Sequence, residues 1–251
     1  MAASVEFPQS LDQAIAQAKQ ATVQALESGQ TRLQVELEIP EISLQSQPIT
    51  WSFTEVFGDS LEGLRVLFPD TGAAALARRD WGEIPFAVSD LGSRQTDIDS
   101  RIQPQDSAFL VVGPSSVEVD RVERLCELAG DRPVVLLIPQ LEDLKVVGLG
   151  YTARQLRERF LNTLETSYCI KPLEGATILR YYPHPWQVWI EREEGYELFS
   201  EEPQRPTGDL LDRILTQAAG ESQDAEGSST GGPQKPGLLG SLQRFVRALT
   251  Q

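Results

Sequence analysis

Between residues 9 and 28, Leu11, Ile15, Ala18, Thr22 and Leu26 recur at i, i+4, i+7 spacing, which predicts a helix. Ser10 suits its N-cap and Gly29 its end. The period then changes. Over 31–39, Leu33, Val35, Leu37 and Ile39 alternate with polar residues, the pattern of a half-buried strand. Pro40 and Pro48 bracket a segment that reads as a loop or sheet edge. Short apolar runs at 64–68, 84–88, 107–112 and 133–138 follow as strands. Helical stretches at 72–81 and about 117–129 separate them, the first capped by Asp70 or Thr71. The second opens on Ser115 with Glu118 three residues later, which predicts a capping box. Strand, helix, strand in this order predicts parallel βαβ units.

A third helix is expected at 152–165, with Leu156, Phe160, Leu161 and Leu164 as its apolar line. Runs at 167–171, 176–182, 186–190 and 195–200 read as an antiparallel meander, and 208–217 as a short helix. The expected fold is α/β: a mixed, mostly parallel sheet in Rossmann-like layers with a C-terminal antiparallel extension. Residues 1–218 form its single domain. Residues 219–236 are rich in Gly, Ser, Glu and Pro and have no apolar side chain larger than Ala, which predicts a disordered linker. Residues 237–251 read as an amphipathic helix, with Leu238, Leu242, Phe245 and Leu249 on one stripe.

Charge narrows the function. The chain carries −15, and general nucleic-acid binding needs cations to neutralise phosphate. The charge is unevenly spread. From 235 onward there are Lys235, Arg244 and Arg247 and no acid, whereas 219–234 holds Glu221, Asp224 and Glu226. A basic tail is thus joined to an acidic body. It has three expected fates: a partner groove, a membrane surface, or the body itself. One histidine and two cysteines cannot assemble a structural zinc site or a catalytic triad. No metal and no cofactor are expected. The first residues lack the charged and apolar regions of a secretory signal, and no stretch is long and apolar enough to span a bilayer, so a cytoplasmic protein is expected.

Gly148, Gly150 and Ala153 match the G-x-G-x-x-[GA] fingerprint at a helix start, which allows dinucleotide binding or a plain glycine turn. The strand after that helix carries no acid for a ribose hydroxyl. Asp70 and Gly72 sit in a strand–turn–helix that is either a cap or a ligand turn. Arg78, Arg79, Arg154 and Arg157 are candidate partner contacts, with pairing to nearby acids as the alternative. The run at 181–189, YYPHPWQVW, reads as a rigid exposed turn, with Trp186 and Trp189 together on one strand face.

Three stretches resemble a known family: FPDTGAAALARRDW at 68–81, PVVLLIPQLEDLKVVGLGYTARQLRERFL at 133–161 and YYPHPWQVW at 181–189. It is the cyanobacterial and chloroplast domain-of-unknown-function family, number nineteen ninety-five, and the resemblance covers about residues 7–200. It implies no catalytic residues. A plant member acts in photosystem II accumulation, and a similar domain is fused to a chloroplast adenylate kinase. The resemblance therefore implies a non-enzymatic photosystem assembly factor, peripheral on the thylakoid membrane, with photosystem subunits or other assembly factors as partners. The tail residues Leu238, Leu242, Arg244, Phe245, Arg247 and Leu249 are its expected docking surface. A nucleotide- or dinucleotide-binding domain is the alternative.

Overall fold

The computed structural model describes residues 5–92, 97–141 and 151–226. The chain begins with α1 (Leu11–Glu27), β1 (Arg32–Leu37) and α2 (Ser46–Phe53), followed by a 3₁₀ segment, Thr54–Gly63. β2 (Leu64–Phe68), α3 (Thr71–Trp81), β3 (Ala87–Asp90), β4 (Ala108–Val112), α4 (Val119–Ala129) and β5 (Val134–Leu137) come next. α5 (Tyr151–Arg159) leads into β6 (Glu165–Leu173), β7 (Ala176–Tyr181), β8 (Trp186–Arg192), β9 (Gly195–Glu202) and α6 (Gly208–Glu226).

All nine strands form one sheet in the order β3-β2-β4-β5-β1-β6-β7-β8-β9. The strands from β3 to β6 in this order pair in parallel, and β6 to β9 pair antiparallel. The expected α/β fold is therefore the observed one. α3 returns the chain from β2 toward one edge, and α4 carries it from β4 the other way. Right-handed crossovers then put the two helices on opposite faces. One core gathers Ala and Phe side chains of α1, α2 and α3 against the sheet. The other gathers α4 and Phe160, and α6 packs beyond it on Val188 and Ile190.

Several elements depart from the sequence reading. α1 buries Ala14, Ala18, Ala21, Thr22 and Ala25, while Leu11, Ile15 and Leu26 are only half-buried. Small side chains let the helix axis approach the sheet, and the Thr22 hydroxyl is satisfied by the Ala18 carbonyl at 2.7 Å. The stretch between Pro40 and Pro48, expected as a loop or sheet edge, instead holds a 3₁₀ turn at Ile42–Gln45 and the start of α2; Pro48 falls in the first turn of α2, where its missing N–H costs nothing. The helix expected at 152–165 ends at Arg159, and Leu161–Thr163 tightens into a 3₁₀ turn. Of the capping box expected at Ser115 and Glu118 one half forms, the Ser115 N–H to Glu118 Oε2, in the turn before α4; Ser115 Oγ accepts from the Val117 N–H instead of that of Glu118. Trp186 and Trp189 lie on opposite faces, as a separation of three along a strand requires. α6 continues through Gly220 to Glu226, past the boundary expected at 218. Gln, Ala and Glu there are sound helix formers.

β1 holds the largest surprise. Its alternation is real, yet it lies mid-sheet between β5 and β6. Its polar side is covered by partners: Gln34 donates to Thr166 Oγ1 at 2.9 Å, and Glu36 accepts from Arg205.

Candidate functional site

In an open parallel sheet, ligands favour the carboxyl ends of the strands where successive crossovers diverge. Here that place lies between β2 and β4. Asp70 ends the turn after β2, and its Oδ1 accepts the Ala73 N–H at 2.9 Å. The carboxylate fills the start of α3, where an anion would otherwise sit. A Cβ on Gly72 would come within 3.0 Å of that same oxygen, so Gly72 keeps the cap clear. The turn after β4 is closed in the same way. Glu118 Oε2 accepts from the Ser115 N–H at 3.0 Å and its hydroxyl at 2.6 Å, and Ser115 Oγ accepts from the Val117 N–H. In each turn a carboxylate already accepts from a backbone N–H, so a phosphate there would meet a like charge.

Beside them, Asp90 is buried at the end of β3. Burial pushes its carboxyl up, but the Thr71 hydroxyl, the Gly92 N–H and Arg101 outweigh it and hold the group below its usual range. A lowered folded pKa gives stability that is present above the ordinary carboxylate range and lost as pH falls through the folded value. Asp90→Asn should therefore cost roughly 1–3 kcal/mol at neutral pH. Urea unfolding from pH 7 to 3 should show its curve converging on the wild type in acid; parallel curves would contradict the assignment.

The expected arginines do not form one surface. Arg78 Nη1 donates to the Val88 carbonyl at 3.0 Å, and exposed Arg79 pairs with Asp80 at 2.7 Å. Arg154 is exposed and Arg157 half-buried on α5, which packs on the opposite face of the sheet from α3. Ala153 lies in the first turn of α5. Gly148 and Gly150, and all the tail candidates from Leu238 to Leu249, lie outside the described residues.

Three features were not visible in the sequence. The first is an ionic clamp at the end of β1. Arg205 binds Glu36 at 2.9 and 3.0 Å and Glu38 at 2.6 Å, and Lys171 meets Glu38 at 2.6 Å. The guanidinium also lies 5.2 Å over the Trp186 ring. Ligand atoms of Glu36, Glu38 and Cys169 lie within 4.8 Å of one another, spacing that suits a metal. Arg205 already supplies the positive charge there, and burial pushes the Cys169 thiol well up, away from the thiolate a metal needs. The cluster is a structural clamp between the β9–α6 connection and β1. Burial likewise pushes Cys126 up to about 12. Both thiols should resist iodoacetamide in the native protein and react on unfolding, as read by mass spectrometry; fast native labelling would contradict the burial.

The second feature is an aromatic shoulder. Trp51 on α2 packs 5.5 Å from Trp81 and 6.2 Å from Phe86, yet stays 45% exposed. Leu44, just before α2, is 77% exposed. The third is a groove along α1, bounded by Tyr181, Tyr182 and His184. Only the tyrosine run hinted at it in the sequence.

The sequence matches the family described as Domain of unknown function (DUF1995) over residues 8–213. The chain belongs to this family. The DUF1995 match takes in the whole sheet and ends within α6, leaving the basic tail beyond it. No solved structure matches. Among the described residues, no helix is long and apolar enough to cross a membrane.

Proposed function

We propose that this DUF1995 protein is a non-enzymatic auxiliary factor of photosystem assembly, working peripherally at the thylakoid surface through protein–protein contacts. The observation that carries the reading is the exposed Trp51 shoulder. Large exposed aromatics seated on a rigid aromatic base are what interface hot spots are made of. The family resemblance supports the photosynthetic setting.

The tail supports the membrane surface. Its Leu242 and Phe245 would enter the interface and Arg244 and Arg247 would meet anionic lipid. A body of −15 is repelled by an anionic leaflet, so the tail must provide the attraction. Because α6 runs to Glu226, the informative truncation ends there. In flotation with isolated thylakoid membranes, the full chain should float and 1–226 should stay in the soluble fraction. Equal flotation of both would remove the tail from the account.

A further inference from the structure

The groove along α1 has a volume of about 590 Å³, within the range of small-ligand sites. Gln17, Gln20, Gln24 and Glu27 line one side; spacings of three and four put them on one helix face. The turn between β7 and β8 forms the other wall. That wall is fixed by the backbone: the Tyr182 N–H donates to the Ser167 carbonyl at 2.9 Å, and the His184 N–H to the Tyr181 carbonyl at 2.8 Å. The Tyr181 hydroxyl ties the two walls together by donating to Gln20 Oε1 at 3.1 Å.

The chemistry left open is distinctive. Among the described residues, the Gln20 amide nitrogen, the Gln24 amide, the Glu6 and Glu27 carboxylates, the Tyr182 hydroxyl and the His184 ring make no side-chain hydrogen bond. These are interleaved donors and acceptors. No Lys or Arg lines the groove, so an anion gains nothing there. A hydroxyl both donates and accepts, and a sugar ring offers an apolar C–H face to an aromatic ring. We propose that the groove binds a neutral polyhydroxylated group, a hexosyl unit, carried either by a free saccharide or by a glycolipid headgroup. In the second case the inference builds on the membrane-surface reading. A neutral headgroup would let a strongly acidic body, once the tail has brought it to the membrane, sit there without charge repulsion.

The test has two arms, both with the full chain. In the first, maltose and lactose are titrated and followed by saturation-transfer NMR. In the second, the protein is floated with phosphatidylcholine vesicles with and without a diglycosyl-diacylglycerol. Gln24→Ala, at an exposed side chain with no bond to lose, and Tyr182→Ala should each weaken binding about tenfold. Transfer to free sugar alone assigns a soluble saccharide, and sugar-dependent flotation assigns a lipid headgroup. Binding of a saccharide with no association to any membrane would keep the groove and remove the membrane reading. No binding in either arm, binding unchanged by both variants, or a preference for spermidine over both sugars would overturn the proposal.

Discussion

Asp106→Ala is expected to lower stability by about 3–5 kcal/mol, the cost of leaving a buried charge alone. Arg65 on β2 and Asp106 ahead of β4 form a two-point pair, Nε to Oδ2 at 2.6 Å and Nη2 to Oδ1 at 2.9 Å. Their side chains are only 10% and 3% exposed. Asp106 also accepts the Gln103 N–H at 2.7 Å, and its carbonyl accepts from Arg132. Removing the carboxylate strands both a guanidinium and a backbone donor. The pair itself need not be strongly stabilising. The double variant Arg65→Met/Asp106→Leu should therefore recover most of the loss, since an apolar pair of similar shape removes both charges together. Urea unfolding of the singles and the double completes the cycle. A cost under about 1 kcal/mol for Asp106→Ala would mean that water reaches the site.

The second large effect concerns binding. Trp51→Ala should weaken partner affinity about thirtyfold or more, the effect of losing a hot-spot residue. Its effect on stability should be small, roughly 0.5–1.5 kcal/mol, because what it loses is contact with Trp81 and Phe86 on an already exposed side. That separation matters. A variant that folds like the wild type but does not bind locates the interface; one that unfolds says nothing about it. Thermal unfolding and a binding isotherm on the same preparation distinguish them.

Much of the fold was legible because it is local. A cap for α3 at Asp70 or Thr71, which the structure decides for Asp70, Ser10 as the cap of α1 and the βαβ order all rest on patterns within a few residues. The alternation in β1 and its half-buried pattern are legible in the sequence, but what covers its polar side is not. Whether Glu36 faces water depends on Arg205, which is 169 residues away. No local pattern shows such a partner. The expected line of α1 is half right: Ala18 and Thr22 are buried, but close approach to the sheet selects Ala14, Ala21 and Ala25 beside them in place of the larger Leu11, Ile15 and Leu26. The candidate site suffered most. The aromatic shoulder joins α2 to α3, and the polar groove joins α1 to a turn more than 150 residues later, so both are products of the assembled sheet.

The most direct test of the central claim is capture from solubilised photosynthetic membranes. Full-length protein, the 1–226 chain and Trp51→Ala would be compared, with bound proteins quantified by mass spectrometry. The account predicts that the full chain enriches photosystem subunits or their assembly factors, that Trp51→Ala loses them, and that 1–226 retains affinity for the purified partner but not for membranes. Failure of the full chain to enrich any photosystem protein, or equal enrichment by Trp51→Ala, would contradict it.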